Sequence, residues 1–203
     1  MVLQVYGNTQ STCAKRVATV LYEKQIPTSS IRLTSPKVPY IVDDGFVLYE
    51  SRAICRYLAL KYADKGPKLV PDASDLKATA LFEQGASIEQ SNFDAFAAKA
   101  CFENIFKTWR GGTPDPNVFN ELIAQLDAKL KAYEIILGKQ KYLAGDEVTL
   151  ADLFHLPYGT LLAAAGSDIM SKQGPNVTRW WNDISSRPSW KAVTAGIPLK
   201  PTF

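Results

Sequence analysis

Apolar and polar positions keep one rhythm in the first third of the chain and another in the rest. "VLQVYG" alternates and stops at Gly7, which predicts a strand. After a polar loop, Ala14, Val17, Ala18 and Leu21 recur at helical spacing until Pro27 ends the segment. "SSIRLT" reads as a second, shorter strand. "YIVDDGFVLYE" sets Asp44-Gly45 between two β-rich runs, a strong hairpin signal. Ser51 opens another helix, with Ile54, Tyr57 and Leu58 as its apolar stripe and Pro67 beyond its end. Strand, helix, strand, hairpin, helix is a small mixed α/β domain, placed at residues 1–65. Pro, Gly and charge concentrate in 66–75, the expected linker.

From 76 to 203 the pattern is helical throughout. Leu76 to Cys101 forms one stretch, "GGTPDPN" interrupts, and Val118 to Leu137 carries Leu122, Leu126, Leu130 and Tyr133 on one face. Thr149-x-x-Asp152 resembles a capping box with Asp in place of Glu. Pro157 belongs near the first turns of the next helix, and "VTRWWNDISSRPSWKAV" is a last amphipathic helix halted by Pro188. The fold class is therefore an α/β domain followed by an all-α domain.

Composition narrows the function more than the fold. With 203 residues at 46% hydrophobic, a substantial core is available for one large domain or two small ones. A net charge of +3, with cations interleaved among Asp and Glu, gives no case for nucleic acid. Cys13, Cys55 and Cys101 are an odd, sparse set without paired spacing, which fits a reducing compartment. The start "MVLQVYGNTQ" lacks a basic segment followed by an apolar one, and no apolar run approaches the roughly 20 residues of a membrane helix. The expectation is a cytoplasmic protein that engages neither membrane nor nucleic acid.

His155 is the single histidine, so a His-based triad or His-rich metal site cannot be built, and no metal is expected. Between Phe154 and Leu156 it reads as structural. No glycine-rich phosphate loop follows either strand. What remains is two helix starts in the first domain, at Ser11 and at Ser51. A helix N-terminus presents unpaired N–H groups and about half a positive charge, so it attracts anions. Each serine alone reads as an ordinary N-cap. The small polar run Ser11, Thr12, Cys13 therefore poses a choice between capping and chemistry.

Val38-Pro39 adds a third feature. A proline at a strand start cannot donate a ladder bond, and with a cis bond the residue before it offers its backbone to an extended peptide. Two helix starts and a free strand edge suit a short peptide with an anionic tail and a reactive head.

"YESRAICRYLALKYADKG", "KYLAGDEVTLADLFHLP" and "WWNDISSRPSWK" resemble the phi class of glutathione transferases, of fungal or plant type, and matches of this kind run through most of both halves. The resemblance implies a thioredoxin-like N-terminal domain, an all-helical C-terminal domain, a homodimer, and conjugation of glutathione to electrophiles. On it, Ser11 matches the catalytic serine. Val38, before the proline that is cis in the family (here Pro39), matches the residue whose backbone pairs with the cysteinyl part of glutathione. Glu50 and Ser51 match the pair that holds the γ-glutamyl end, Lys37 a polar contact to glutathione, and Arg52 a position facing the dimer partner.

The chemistry suits those residues. A free thiol is only about 3% thiolate at pH 7, and the thiolate is the nucleophile. Lowering its pKa by about two units takes roughly 2.7 kcal/mol. A hydrogen bond from the Ser11 hydroxyl to charged sulfur contributes roughly 1.5–3 kcal/mol. The helix end adds from a few tenths up to about 2 kcal/mol. In this reading Ser11 donates to sulfur and is never itself a nucleophile. Two alternatives stay open: Thr12 as the hydroxyl donor, and Cys13 as a nucleophile forming mixed disulfides with glutathione.

The sequence departs from the family between "SIRLT" and Val38-Pro39, where only Ser35, Pro36 and Lys37 stand in place of a longer loop with a short helix. Either the loop is deleted here or residues are missing from the given chain; a real deletion implies weak glutathione binding. The electrophile is expected between the domains, near Gln10 and the aromatics Phe102, Phe106 and Trp109, which also read as core packing. Besides conjugation of small hydrophobic electrophiles, the fold allows two other functions. One is carriage of apolar ligands with little turnover; the other is glutathione-dependent reduction of peroxides or disulfides.

Overall fold

A computed structural model describes residues 3–26, 31–32 and 39–197. Thr34 to Val38, and with it the family's loop position, Lys37 and Val38, lies outside the described residues. The chain divides into two compact units, Met1–Val70 with Ser186–Phe203, and Pro71–Ser185.

In the first unit, β1 (Leu3–Tyr6) leads through a short turn into α1 (Thr12–Glu23). There follow β2 (Ile31–Arg32), β3 (Tyr40–Asp43), β4 (Phe46–Tyr49) and α2 (Ser51–Lys61). The sheet order is β2-β1-β3-β4, with β2 parallel to β1 and β3 antiparallel to both of its neighbours. This is the thioredoxin-like arrangement. The β3–β4 hairpin turns on Asp44 and Gly45, both at positive φ (49° and 87°). That is the mirror-image turn whose twist matches the strands, which is why an Asp-Gly pair marked it in the sequence. Ala14, Val17, Ala18 and Leu21 of α1 are all buried, as are Ile54 and Leu58 of α2. The two helices pack against each other. Tyr57, the third member of the α2 stripe, is half-buried because its hydroxyl reaches out to donate to Asp43 of β3.

The last helix, α10 (Pro188–Thr194), packs on α1 and is counted with the first unit. The helical rhythm of 76–203 instead assigns it to the second domain. Polar bonds explain the difference. Arg187 donates to Glu23 through Nε (2.6 Å) and Nη2 (2.7 Å), Ser189 donates to the same carboxylate, and Lys15 Nζ reaches the Thr194 carbonyl (2.8 Å). The segment after α2 is also tied to α1: buried Lys24 donates to the Pro67 carbonyl at 2.9 Å. Gly66 sits at φ +55°, where a Cβ would come within 2.0 Å of the Glu23 carbonyl oxygen, so the close approach requires glycine.

The second unit is helical. α3 (Leu76–Ile88), α4 (Ala95–Cys101) and α5 (Lys107–Trp109) form one continuous run, broken by π-helical segments at Glu89–Asp94 and Phe102–Phe106. Then come α6 (Pro116–Leu137), α7 (Leu150–Leu153), α8 (Leu156–Ala164), a 3-10 turn (Ile169–Ser171) and α9 (Pro175–Ser185). Leu126, Leu130 and Tyr133 line the buried face of α6. Thr149 and Asp152 form the capping box that the spacing predicts. Buried Asp152 accepts from the Leu143 N–H (2.9 Å), the Thr149 N–H (2.9 Å) and Trp180 Nε1 (2.9 Å). Burial pushes its pKa up against the pull of those donors. His155 is structural: Nδ1 faces the Ala151 carbonyl at 2.9 Å, so Nε2 accepts from the Tyr133 hydroxyl at 3.0 Å. Pro188 does not simply end a helix. It stops α9 and opens α10, because a missing N–H costs nothing at a helix start.

Candidate active site

The first unit brings the two predicted helix starts onto adjacent, packed helices. Ser11 is the N-cap of α1 (φ −67°, ψ 129°), and its Oγ accepts from the Ala14 N–H at 3.4 Å. Its own N–H donates to the Asn8 carbonyl at 3.0 Å, which holds the turn in place. Ser11 is a cap, and capping of this kind does not exclude chemistry. A hydroxyl that accepts through a lone pair keeps its proton for another acceptor. At 3.4 Å the capping bond is long, so it binds the hydroxyl only loosely.

The start of α2 differs. Its N-cap, Glu50, is exposed, makes no side-chain bond to the helix, and sits at φ +70°, ψ 108°. A side chain-bearing residue at positive φ with extended ψ is strained by about 1–3 kcal/mol, and such strain concentrates at functional sites. Nothing in the sequence signals it. Ser51, the first helical residue, is buried, and its Oγ accepts from Arg16 Nη1 of α1 at 2.9 Å. Arg16 is 2% exposed and also lies 3.8 Å from Cys13 Sγ. Sequence reasoning missed Arg16. Its one signal was position: it shares a helix face with Cys13 and Val20, where a solvated cation does not belong.

Pro39 is buried just ahead of β3, while Val38 and Lys37 lie outside the described residues, and with Val38 the peptide bond entering Pro39. Thr12 is the first residue of α1 and half-buried, and Cys13 is a half-buried free thiol. Cys55 and Cys101 are buried, and burial pushes both thiols up to about 12. Arg52 is half-buried on α2, and Phe46, Val47 and Tyr49 of edge strand β4 are exposed.

Phe82, Phe93, Phe154 and Trp180 belong to the core of the second unit, whereas the three aromatics singled out in the sequence do not lie fully inside it. Phe102 and Trp109 are 39% and 72% exposed, and Phe106 is half-buried with its ring 5.3 Å from that of Trp109. The Arg110 guanidinium lies 5.3 Å over the Phe102 ring. They share an outward face of the irregular helix. Gln10 is exposed in the turn before α1. Among the described residues no group of His, Cys, Asp and Glu side chains could hold a metal ion. Among them, too, no helix is long and apolar enough to cross a membrane.

A thioredoxin-like unit whose two helices pack together, joined in sequence to a helical unit, is the architecture of glutathione transferases. Comparison with known proteins agrees. Residues 1–60 match the N-terminal domain model of glutathione S-transferases and residues 97–188 the C-terminal one. Glutathione S-transferase hmp2 of Hypomyces subiculosus is 42% identical, the match covering 96% of this chain and 99% of that protein. Glutathione transferase F7 of Populus trichocarpa superposes with a TM-score of 0.87 at 33% identity, covering 97% and 100% of the two chains. Maize glutathione S-transferase I, solved with an atrazine glutathione conjugate, gives 0.83 at 30%, covering 96% and 97%.

The chain belongs to the glutathione S-transferase family and is an enzyme of it, with glutathione as co-substrate. Relatives named F11, F12 and F13 in Arabidopsis thaliana place it with the phi class. The alignment with hmp2 spans 212 residues, more than the 203 of this chain, so that relative carries residues without counterpart here.

Proposed function

We propose that the first unit binds glutathione along the starts of α1 and α2, and that the Ser11 hydroxyl stabilises its thiolate for attack on small hydrophobic electrophiles. The thiol proton leaves to solvent, sulfur bonds to the electrophilic carbon, and a leaving group such as halide departs with its electron pair. One observation carries the reading: Ser11 caps α1 through a lone pair at 3.4 Å, which leaves its O–H to donate at the positive end of a 12-residue helix.

The Ser51 hydroxyl, with the first N–H groups of α2, would meet the γ-glutamyl carboxylate, and the exposed Glu50 carboxylate its ammonium group. The strain at Glu50 supports a site there. Val38, Pro39 and Lys37 are assigned to glutathione by resemblance. The aromatics Phe102, Phe106 and Trp109, and Gln10, are the proposed contributors to the electrophile site; exposure supports this for Phe102 and Trp109. A homodimer through Arg52 is supported by the apolar exposure of β4. Free cysteines support a cytoplasmic setting. The test is conjugation of glutathione to an activated aryl halide. Ser11→Ala should lower kcat/KM about a hundredfold, the equivalent of roughly 2.7 kcal/mol. Unchanged turnover removes Ser11 from the chemistry and turns attention to Thr12 or Cys13.

A further inference from the structure

We infer that Arg16 is a positioning residue for the γ-glutamyl end of glutathione: its buried guanidinium fixes the Ser51 hydroxyl so that the proton faces the incoming carboxylate. The inference rests on the proposed contact between Ser51 and that carboxylate. Arg16 stands in the middle of α1 at 2% exposure, and its Nη1 donates to Ser51 Oγ at 2.9 Å. A guanidinium has five donors and no acceptor. Ser51 Oγ must therefore meet Arg16 with a lone pair, and its own proton has to turn away from Arg16. A serine at the first turn of a helix is otherwise free to rotate and to accept or donate. Here the bond selects the donor state, which is the state an anion at the start of α2 requires.

The same contact sets a fixed positive charge directly behind the serine oxygen, in a site shielded from water. It adds to the field of the α2 start in the one place where the helix lacks a side-chain cap. Arg16 also bridges the two helices, since Cys55 Sγ of α2 donates to the Arg16 carbonyl at 3.7 Å. That second bond uses the Arg16 backbone, so it survives a change of the side chain. Cys13 Sγ, 3.8 Å from Nη1, lines the same link. The consequence lies in binding of the glutamyl end, not in ionisation of the sulfur.

The experiment is a cycle of Arg16→Gln and Ser51→Ala, assayed with an aryl halide against glutathione and against cysteinylglycine, which lacks the γ-glutamyl group. Arg16→Gln should raise the glutathione KM about tenfold, the scale of one charge-assisted hydrogen bond, with kcat little changed. That penalty should vanish when Ser51 is already alanine, and turnover of cysteinylglycine should not move. The pKa of the bound thiol should be that of the unaltered protein, and Arg16→Lys should recover part of the loss. An equal penalty in both Ser51 backgrounds, or a loss seen in kcat or the thiol pKa with KM intact, overturns the inference. Nitrogen NMR of the unaltered protein covers an Arg16→Gln variant that fails to fold. The Arg16 guanidinium resonances should shift on adding glutathione and stay still on adding cysteinylglycine. No shift with saturating glutathione also overturns it. An unaltered protein that never saturates with glutathione instead overturns the underlying site assignment, and is recognised without any variant.

Discussion

Glu23 is the buried anchor of α10 on α1, and its removal should cost the first unit heavily. The carboxylate accepts two parallel bonds from Arg187, at 2.6 and 2.7 Å, and a third from Ser189. Glu23 is 8% exposed, while the Arg187 side chain keeps 23%. Breaking a buried pair from one side typically costs about 3–5 kcal/mol, because the surviving charge is left buried and uncompensated. Arg187 retains some water, so the low end applies, about 3 kcal/mol. For a chain of this size that is a fall in Tm of roughly 6–12 °C for Glu23→Ala. Thermal melts followed by circular dichroism measure it, with Arg187→Ala and the double variant completing a cycle. The double variant should be scarcely worse than Glu23→Ala alone. A Tm drop below about 2 °C, or strictly additive losses, would refute the argument.

Other expectations follow from single sites. Burial works against the charge on Asp43, yet bonds from Lys61 and Tyr57 hold its pKa below the ordinary value. A depressed carboxylate stabilises the fold above its unfolded pKa and loses that contribution as pH falls through the folded one. Asp43→Asn should therefore flatten the acid limb of the Tm-versus-pH curve, and an unchanged limb counts against the assignment. Glu50→Gly relieves the positive-φ strain, so Tm should hold or rise while the glutathione KM increases; a clear loss of stability contradicts the strain. Inserting a longer loop from a relative between Thr34 and Val38 should lower the glutathione KM, and no change would mean the short connection suffices.

Much of this was legible in the residues because local rules and burial agreed. The α1 stripe, the Asp44-Gly45 turn and the Thr149–Asp152 box each follow from a short-range preference that the fold keeps. What escaped depends on partners distant in sequence. Arg16 looks like a surface cation until Ser51, thirty-five positions on, is brought beside it. The assignment of α10 to the first unit needs Glu23 to meet Arg187 across 164 positions. Glu50 was marked by resemblance, but its positive φ had no cue, because surroundings rather than residue type impose it there. The aromatics at 102, 106 and 109 were ambiguous because hydrophobicity alone does not tell an inward face from an outward one.

The most direct test is the ultraviolet titration of glutathione's thiolate on the protein. The midpoint should lie about two pH units below that of the free tripeptide and return most of the way in Ser11→Ala. A bound thiol that ionises at the pH of free glutathione would contradict it.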